Sequence, residues 1–300
     1  MSEWLISLEG TDQGKQVALA LALLAAILHA LFGALQKGRY DPFTTRSAID
    51  GCYALIALPF ALFVVPWPEP DVWPLFAIAW VIHVGYKIAQ ASAYSVGAYT
   101  VVYPVVRGIG PVFTVIGAGI LFDEVFAPAQ WLGVTMLATG ILGLAVYNLR
   151  HVTTDRARLP LALGLATLTG GFVALYTTWD AFVIRATADP MTFVAWFFLI
   201  DGIAFPAAYL AYKKGRVPRP FAPLLKLGMT GAVVAIFSFG GIMLATRLDK
   251  VGEAAVLRET SVVFAALIAF LFWGERVGPR RLALMGLIAL GAVVVEVGGT

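Results

Sequence analysis

The chain has 300 residues, of which 60% are hydrophobic and 13% charged, with a net charge of +3. An ordinary soluble domain carries about 25% charged residues, and a folded sphere cannot hide this much apolar surface from water, so a soluble globular fold is excluded and lipid must cover much of the chain. A pI near 9.0 would point to nucleic acid in a soluble protein. Here most Lys and Arg residues sit in short stretches between apolar runs, where lipid headgroups and membrane orientation account for them, and no nucleic-acid partner is expected.

The first fifteen residues carry Glu3, Glu9 and Asp12 against Lys15, the wrong sign for a cleaved secretory signal. Crossing a hydrocarbon layer of roughly 30 Å takes about 20 apolar residues at 1.5 Å each. Ten runs qualify, at residues 16–37, 44–65, 72–94, 98–122, 128–148, 160–184, 191–212, 222–246, 251–273 and 279–297. Several begin at or just after a proline (Pro42, Pro128, Pro160, Pro190, Pro279), which suits a first helical turn because its missing N–H has no partner there. The junction at residues 95–98 has no charge to mark it, and the longest hinge, at residues 150–159, falls at the midpoint. The lone Cys52 reads as a small apolar side chain inside the second run.

The chain repeats itself. An offset of 151 residues aligns Arg107 with Arg258, Glu124 with Glu275, Pro128 with Pro279, Gly140 with Gly291, and Ile49-Asp50-Gly51 with Ile200-Asp201-Gly202. Apolar matches alone would mean little, but charged residues and prolines at one offset mark a duplication. The expected fold is therefore an all-α membrane protein of ten transmembrane helices, in two five-helix repeats at residues 1–149 and 150–300. An odd number of spans inverts the second copy. Inverted repeats around a central cavity are the architecture of alternating access, and one chain then completes the cavity as a monomer.

The duplicated ending is a helix, a short acidic turn, a proline and a Gly-bearing helix. It reads Asp123-Glu124 to Pro128 in the first half and Gly274-Glu275 to Pro279 in the second. This pattern resembles the EamA-type repeat of the drug/metabolite transporter superfamily over essentially the whole chain. Within that superfamily it is most similar to the YddG-type amino-acid exporters. The resemblance implies a multi-pass carrier of the bacterial inner membrane that exports aromatic and other neutral amino acids. Small four-span multidrug relatives have a membrane glutamate in their first helix. His29 stands in the first span of this chain, a departure that weighs against simple proton/cation-drug exchange.

Ionisable groups inside a bilayer cost about 2.5–3.5 kcal/mol each on insertion scales, so each needs a partner, water or a function. The cations are Lys87, Arg107 and Arg258, and the acids Asp50, Asp180, Asp201 and Glu259. That near balance suits a cavity for a zwitterion. His83, Lys87, Gln90 and Tyr94 follow at i, i+4, i+7 and i+11 on one helical face with Tyr86 beside them, and Tyr99, Tyr103 and Arg107 at i, i+4 and i+8 on the next helix. Aromatic faces accept an ammonium, and a guanidinium matches a carboxylate with two hydrogen bonds. The candidate substrate-binding set is His83, Tyr86, Lys87, Gln90, Tyr99, Tyr103, Arg107, Trp179, Asp180 and Arg258. The repeat-mate arginines could equally serve two opposite gates. Glu124, Glu275, Asp50 and Asp201 read as gate or structural residues.

No phosphate loop, hydrolase elbow or metal-ligand spacing occurs, so no catalytic residue, cofactor or metal is expected, and neither is an enzyme. A membrane enzyme or scaffold remains the rival from another class. An antiporter of phosphorylated metabolites or nucleotide sugars, or a multidrug exporter, are the rivals among transporters.

Orientation follows from basic residues. Fourteen flank the odd-numbered loops: Lys37, Arg39, Arg46, Arg150, Arg156, Arg158, Lys213, Lys214, Arg216, Arg219, Lys226, Arg276, Arg280 and Arg281. Only Lys15, Arg185, Arg247 and Lys250 lie on the side of the termini, which places both termini outside, whereas the family resemblance implies termini inside. Single cysteines at Ser2 and Thr154, in a chain with Cys52 replaced, separate the two. With an impermeant thiol reagent on intact cells, the charge count predicts labelling at Ser2 and protection at Thr154, and the family's arrangement predicts the reverse.

Overall fold

A computed structural model describes residues 2–36, 40–151, 157–216, 219–273 and 278–299. In chain order its helices are α1 (Ser2–Leu8), α2 (Asp12–Gln36), α3 (Pro42–Phe63), α4 (Trp73–Val96), α5 (Tyr99–Phe122), α6 (Pro128–His151), α7 (Leu159–Ala186), α8 (Pro190–Tyr212), α9 (Phe221–Leu248), α10 (Val251–Arg258), α11 (Ser261–Trp273) and α12 (Pro279–Val297). Among the described residues, eight helices, α2 through α9, are long and apolar enough to cross a membrane. The chain is a multi-pass membrane protein.

Two differences from the expected ten unbroken spans have physical causes. The ninth run is interrupted at Glu259–Thr260, where Glu259 N–H donates to Val256 O, Thr260 N–H to Leu257 O and Val262 N–H to Glu259 O, each at 3.1 Å. These three-residue bonds tighten the backbone and divide the run into α10 and α11. The tenth run, α12, carries Arg280, Arg281 and Glu296 within its 19 residues, which lowers its apolar character. The short α1 lies ahead of the first apolar run, tucking in Leu5 and Leu8 while Trp4 and Ile6 stay exposed.

Helix starts follow local chemistry. Asp41 caps α3, its carboxylate accepting from Phe43 N–H at 3.1 Å and Thr44 N–H at 3.0 Å, with Pro42 in the first turn. Asp189 caps α8 in the same way through Met191 and Thr192 N–H, ahead of Pro190. Burial pushes the Asp41 carboxyl up, but the bonds from Thr44, the nearby Lys213 and the Phe43 N–H together hold it below the usual range. The cap is therefore in place at neutral pH and weakens only as acid protonates Asp41.

The chain divides into two compact units, Met1–Val84 with Trp179–Leu248, and Gly85–Thr178 with Asp249–Thr300. Each draws on both halves of the sequence, so neither unit coincides with residues 1–149 or 150–300.

In the first unit α3 packs against α8 and α9, and α2 against α9. Gly202 of α8 lies so close to α3 that a Cβ there would come within 2.7 Å of the Asp50 carbonyl oxygen. In the second unit α6 packs against α12 and α5, and α5 against α10. Here small residues let backbones meet. A Cβ on Gly140 would lie 2.9 Å from Leu284 O, and one on Gly291 would lie 2.6 Å from Gly133 O. Under the 151-residue offset Gly140 maps to Gly291 and Gly133 to Leu284, so one contact is made twice, in reciprocal form.

Gly291→Val must push backbone from backbone, with no flexible side chain to yield. We expect a loss of roughly 1–3 kcal/mol, the usual scale of overpacking, read as a lower unfolding temperature in detergent, while Gly286→Val, which meets open space, leaves that temperature near the wild-type value.

Candidate functional site

The second unit buries a three-membered charge cluster. Glu259, at the end of α10, is fully buried, and its Oε1 accepts from Arg107 Nη1 of α5 at 2.9 Å. Arg258 Nε approaches the same oxygen at 3.5 Å. The repeat-mate arginines thus converge on one carboxylate instead of serving separate acids. The position 151 residues before Glu259 is Gly108, which carries no acid. Two guanidiniums against one carboxylate leave the cluster one positive charge in excess, in a setting where water is scarce.

Tyrosines surround the cations. The Arg107 guanidinium lies 5.4 Å from the centre of the Tyr103 ring, one turn earlier on α5, and that of Arg258 lies 5.9 Å from the Tyr176 ring of α7. Both distances fall within cation–π range. Tyr86 of α4 stands edge-on to Tyr176, with centroids 4.9 Å apart, and accepts a hydrogen bond from Gln90. Arg258 Nη2 also reaches Thr177 Oγ1 at 3.4 Å. Lys87, on the same stretch of α4, is 1% exposed. Tyr86, Gln90, Tyr103, Arg107 and Arg258 of the candidate set therefore belong to one connected arrangement in this unit.

The start of α10 is held by an acid from the turn that follows α5. Asp123 closes α5 in the left-handed region, at φ 55°, a conformation that Asp tolerates better than most residues. The carboxylate of the next residue, Glu124, accepts from Val251 N–H at 2.7 Å and Gly252 N–H at 3.0 Å. A carboxylate at a helix N-terminus satisfies unpaired N–H groups and the positive end of the helix dipole. Glu253 in the first turn of α10 accepts from Gln130 at 2.7 Å and Lys250 at 2.9 Å. Glu124 is thus a helix-end residue that fixes where α10, and with it Arg258 and Glu259, begins. Glu275 and the side chain of Tyr99 lie outside the described residues.

The first unit holds the other candidates. His83 Nε2 and Asp180 Oδ2 are 2.8 Å apart, both groups are buried, and the His83 ring stands edge-on to Phe197 at 4.7 Å. Trp179 is half-buried and donates its indole N–H to Leu75 O at 3.1 Å. His29 packs between Phe32 and Phe239. Asp50, fully buried, pairs with Arg46 one turn earlier at 2.9 Å, and Asp201 accepts from Tyr53 OH. Arg46 is 7% exposed, so it is an interior charge and not one of the loop charges that orient the chain; thirteen basic residues against four remain.

Sequence reasoning left out Tyr176 and Thr177, and took Arg46 for a loop charge. The polar run Tyr176-Thr-Thr-Trp-Asp180 inside an apolar span was a usable signal for the first two. The i, i+4 spacing of Arg46 and Asp50 was one for the third. Glu259 was visible as a membrane acid, but its partner lies 152 positions away and no spacing rule reaches that far.

Residues 160–297 match the profile of the EamA-like transporter family, whose members are transporters. A crystal structure described as "Crystal structure of protein" is similar over 95% of this chain and 98% of its own, with a TM-score of 0.70 at 17% identity, a likeness of fold. No curated protein matches the chain.

Removing Arg46 leaves the Asp50 carboxylate in the interior without that guanidinium. Arg46→Met should cost about 3–5 kcal/mol, as breaking a buried pair does, and the double variant Arg46→Met/Asp50→Leu should recover most of it. Thermal unfolding of the purified variants reads both effects.

Proposed function

We propose that the chain is an integral membrane transporter that exports amino acids, aromatic and other neutral ones, by alternating access. The observation that carries this reading is the buried Arg107–Glu259–Arg258 cluster, with Tyr103 and Tyr176 against its guanidiniums and Tyr86 against Tyr176. A guanidinium offers a fork for a substrate carboxylate, the acid offers an acceptor for an ammonium, and the ring faces offer apolar contact to a side chain. The match of residues 160–297 to a transporter family supports the transport reading. So does the break of the ninth run beside the cluster, because interrupted helices near the midplane are where carriers expose backbone to substrate and ions.

In this reading the repeats at residues 1–149 and 150–300 form ten crossings in inverted orientation around a central cavity, the monomer is the working unit, and the protein resides in the bacterial inner membrane. His83, Lys87, Tyr99, Trp179 and Asp180 complete the substrate-binding set. Phosphorylated metabolites and nucleotide sugars fit less well. Two cations already share one carboxylate, which leaves a single excess positive charge for a doubly charged phosphate.

Counterflow by purified protein in proteoliposomes, with a panel of amino acids, sugar phosphates and organic cations, tests the substrate class. Amino acids should exchange; exchange of sugar phosphates or organic cations alone overturns the proposal. Within the amino acids, Lys87→Met should lower transport generally. Tyr103→Ala should slow large apolar substrates more than small ones, since it removes contact area and a ring beside Arg107. Wild-type rates for both variants on a large and a small amino acid would remove these two positions from the site.

A further inference from the structure

At the break between α10 and α11, Glu259 Oε2 and Ser261 Oγ, like Arg258 Nε beside them, have no hydrogen bond among the described residues. Glu259 directs Oε1 to Arg107 and Arg258, at 2.9 and 3.5 Å, while Oε2 has no hydrogen-bond partner among the described residues. At the first position of α11 the Ser261 hydroxyl is in the same condition, and both side chains are fully buried. The hydroxyl between them shows the ordinary alternative: Thr260 Oγ1 donates to Leu257 O at 2.6 Å, back into its own helix. Buried polar atoms are nearly always satisfied, because leaving one bare forfeits its hydration with nothing in return. Here they lie at the interruption of a membrane helix and on the Arg107–Glu259–Arg258 cluster, the setting in which a ligand can complete them.

The surroundings restrict what that ligand is. A carboxylate oxygen only accepts, so the ligand must donate. A simple cation would meet two guanidiniums against one carboxylate, and a simple anion would meet the bare Oε2. A molecule with an ammonium and a carboxylate on neighbouring atoms satisfies both demands. Its ammonium donates to Oε2 and Ser261 Oγ near the carbonyl end of α10, and its carboxylate answers the excess positive charge of Arg107 and Arg258. We propose that Glu259 Oε2 and Ser261 Oγ form the amino-binding end of the substrate site. This rests on the amino-acid reading above and assigns the group that selects an α-amino acid over a plain carboxylic acid.

The test compares three ligands on purified, monodisperse protein: L-phenylalanine, 3-phenylpropionate, which has the same ring and carboxylate but no amine, and phenethylamine, which lacks the carboxylate. Wild type should bind L-phenylalanine at least about tenfold more tightly than either analogue, since buried polar groups reject a ligand that fails to pair them. Glu259→Gln should weaken L-phenylalanine by about 10–100-fold and 3-phenylpropionate by less than about threefold, a loss of the scale of one charged hydrogen bond. Ser261→Ala removes a hydroxyl that has no hydrogen-bond partner among the described residues, so it should fold as wild type. It should weaken L-phenylalanine about 3–10-fold, the scale of one hydrogen bond, and leave 3-phenylpropionate unchanged.

If wild type discriminates and both variants keep the same discrimination, the assignment of the amino-binding end is overturned while amino-acid transport stands. If wild type binds no amino acid, the transport reading falls and takes the assignment with it. Should Glu259→Gln not yield folded protein, Ser261→Ala decides alone on the same two criteria.

Discussion

The organising constraint is the cost of holding a charge where water does not reach. A membrane protein can place an arginine deep in a helix only by giving the guanidinium something to hold, and here one carboxylate oxygen of Glu259 serves two of them. That arrangement dictates the local backbone. Glu259 must stand at a position from which it meets an arginine on α5 as well as its own neighbour Arg258, and residues i and i+1 of an unbroken helix do not face each other. The tightened backbone at residues 259–262 lets α10 stop and α11 begin at that point, and the carboxylate of Glu124 sets where α10 starts.

The first unit answers the same constraint differently. Asp50 and Asp201 are repeat mates, yet one is met by an arginine of its own helix and the other by the Tyr53 hydroxyl of a neighbouring one. Gly202 brings α8 against α3 at that level, so close backbone approach and buried acids occur together. Acids at positions 151 apart thus meet different groups, while the arginines at positions 151 apart meet the same one.

Much of the fold was legible in the sequence. Runs of about twenty apolar residues and the prolines at their starts located α2 through α9 within a few residues, and even the uncharged junction at 95–98 falls where α4 ends at Val96 and α5 begins at Tyr99. What escaped was of another kind. Apolar periodicity records which face is oily, not which carbonyl an N–H chooses, so the polar stretch Arg258-Glu259-Thr260-Ser261 showed charge inside the run but not that the helix breaks there. The seven residues of α1 are too short for any periodic signal. Of the site, residue types and helical faces were readable, while partners were not. Arg107 finds Glu259 across 152 positions and His83 finds Asp180 across 97, distances in sequence that only folding closes.

The way each compact unit is assembled has a consequence for what either half of the chain can specify alone. Val84 and Gly85 are consecutive residues of α4, and Thr178 and Trp179 of α7, yet each pair is divided between the two units. A gene encoding only residues 1–149 would therefore specify no complete unit, and neither would one encoding the remainder. Two such half-chains would have to exchange helices before either unit existed. A single chain supplies both parts of each unit at once, and its halves are free to differ, as Glu259 does from Gly108 at the matching position.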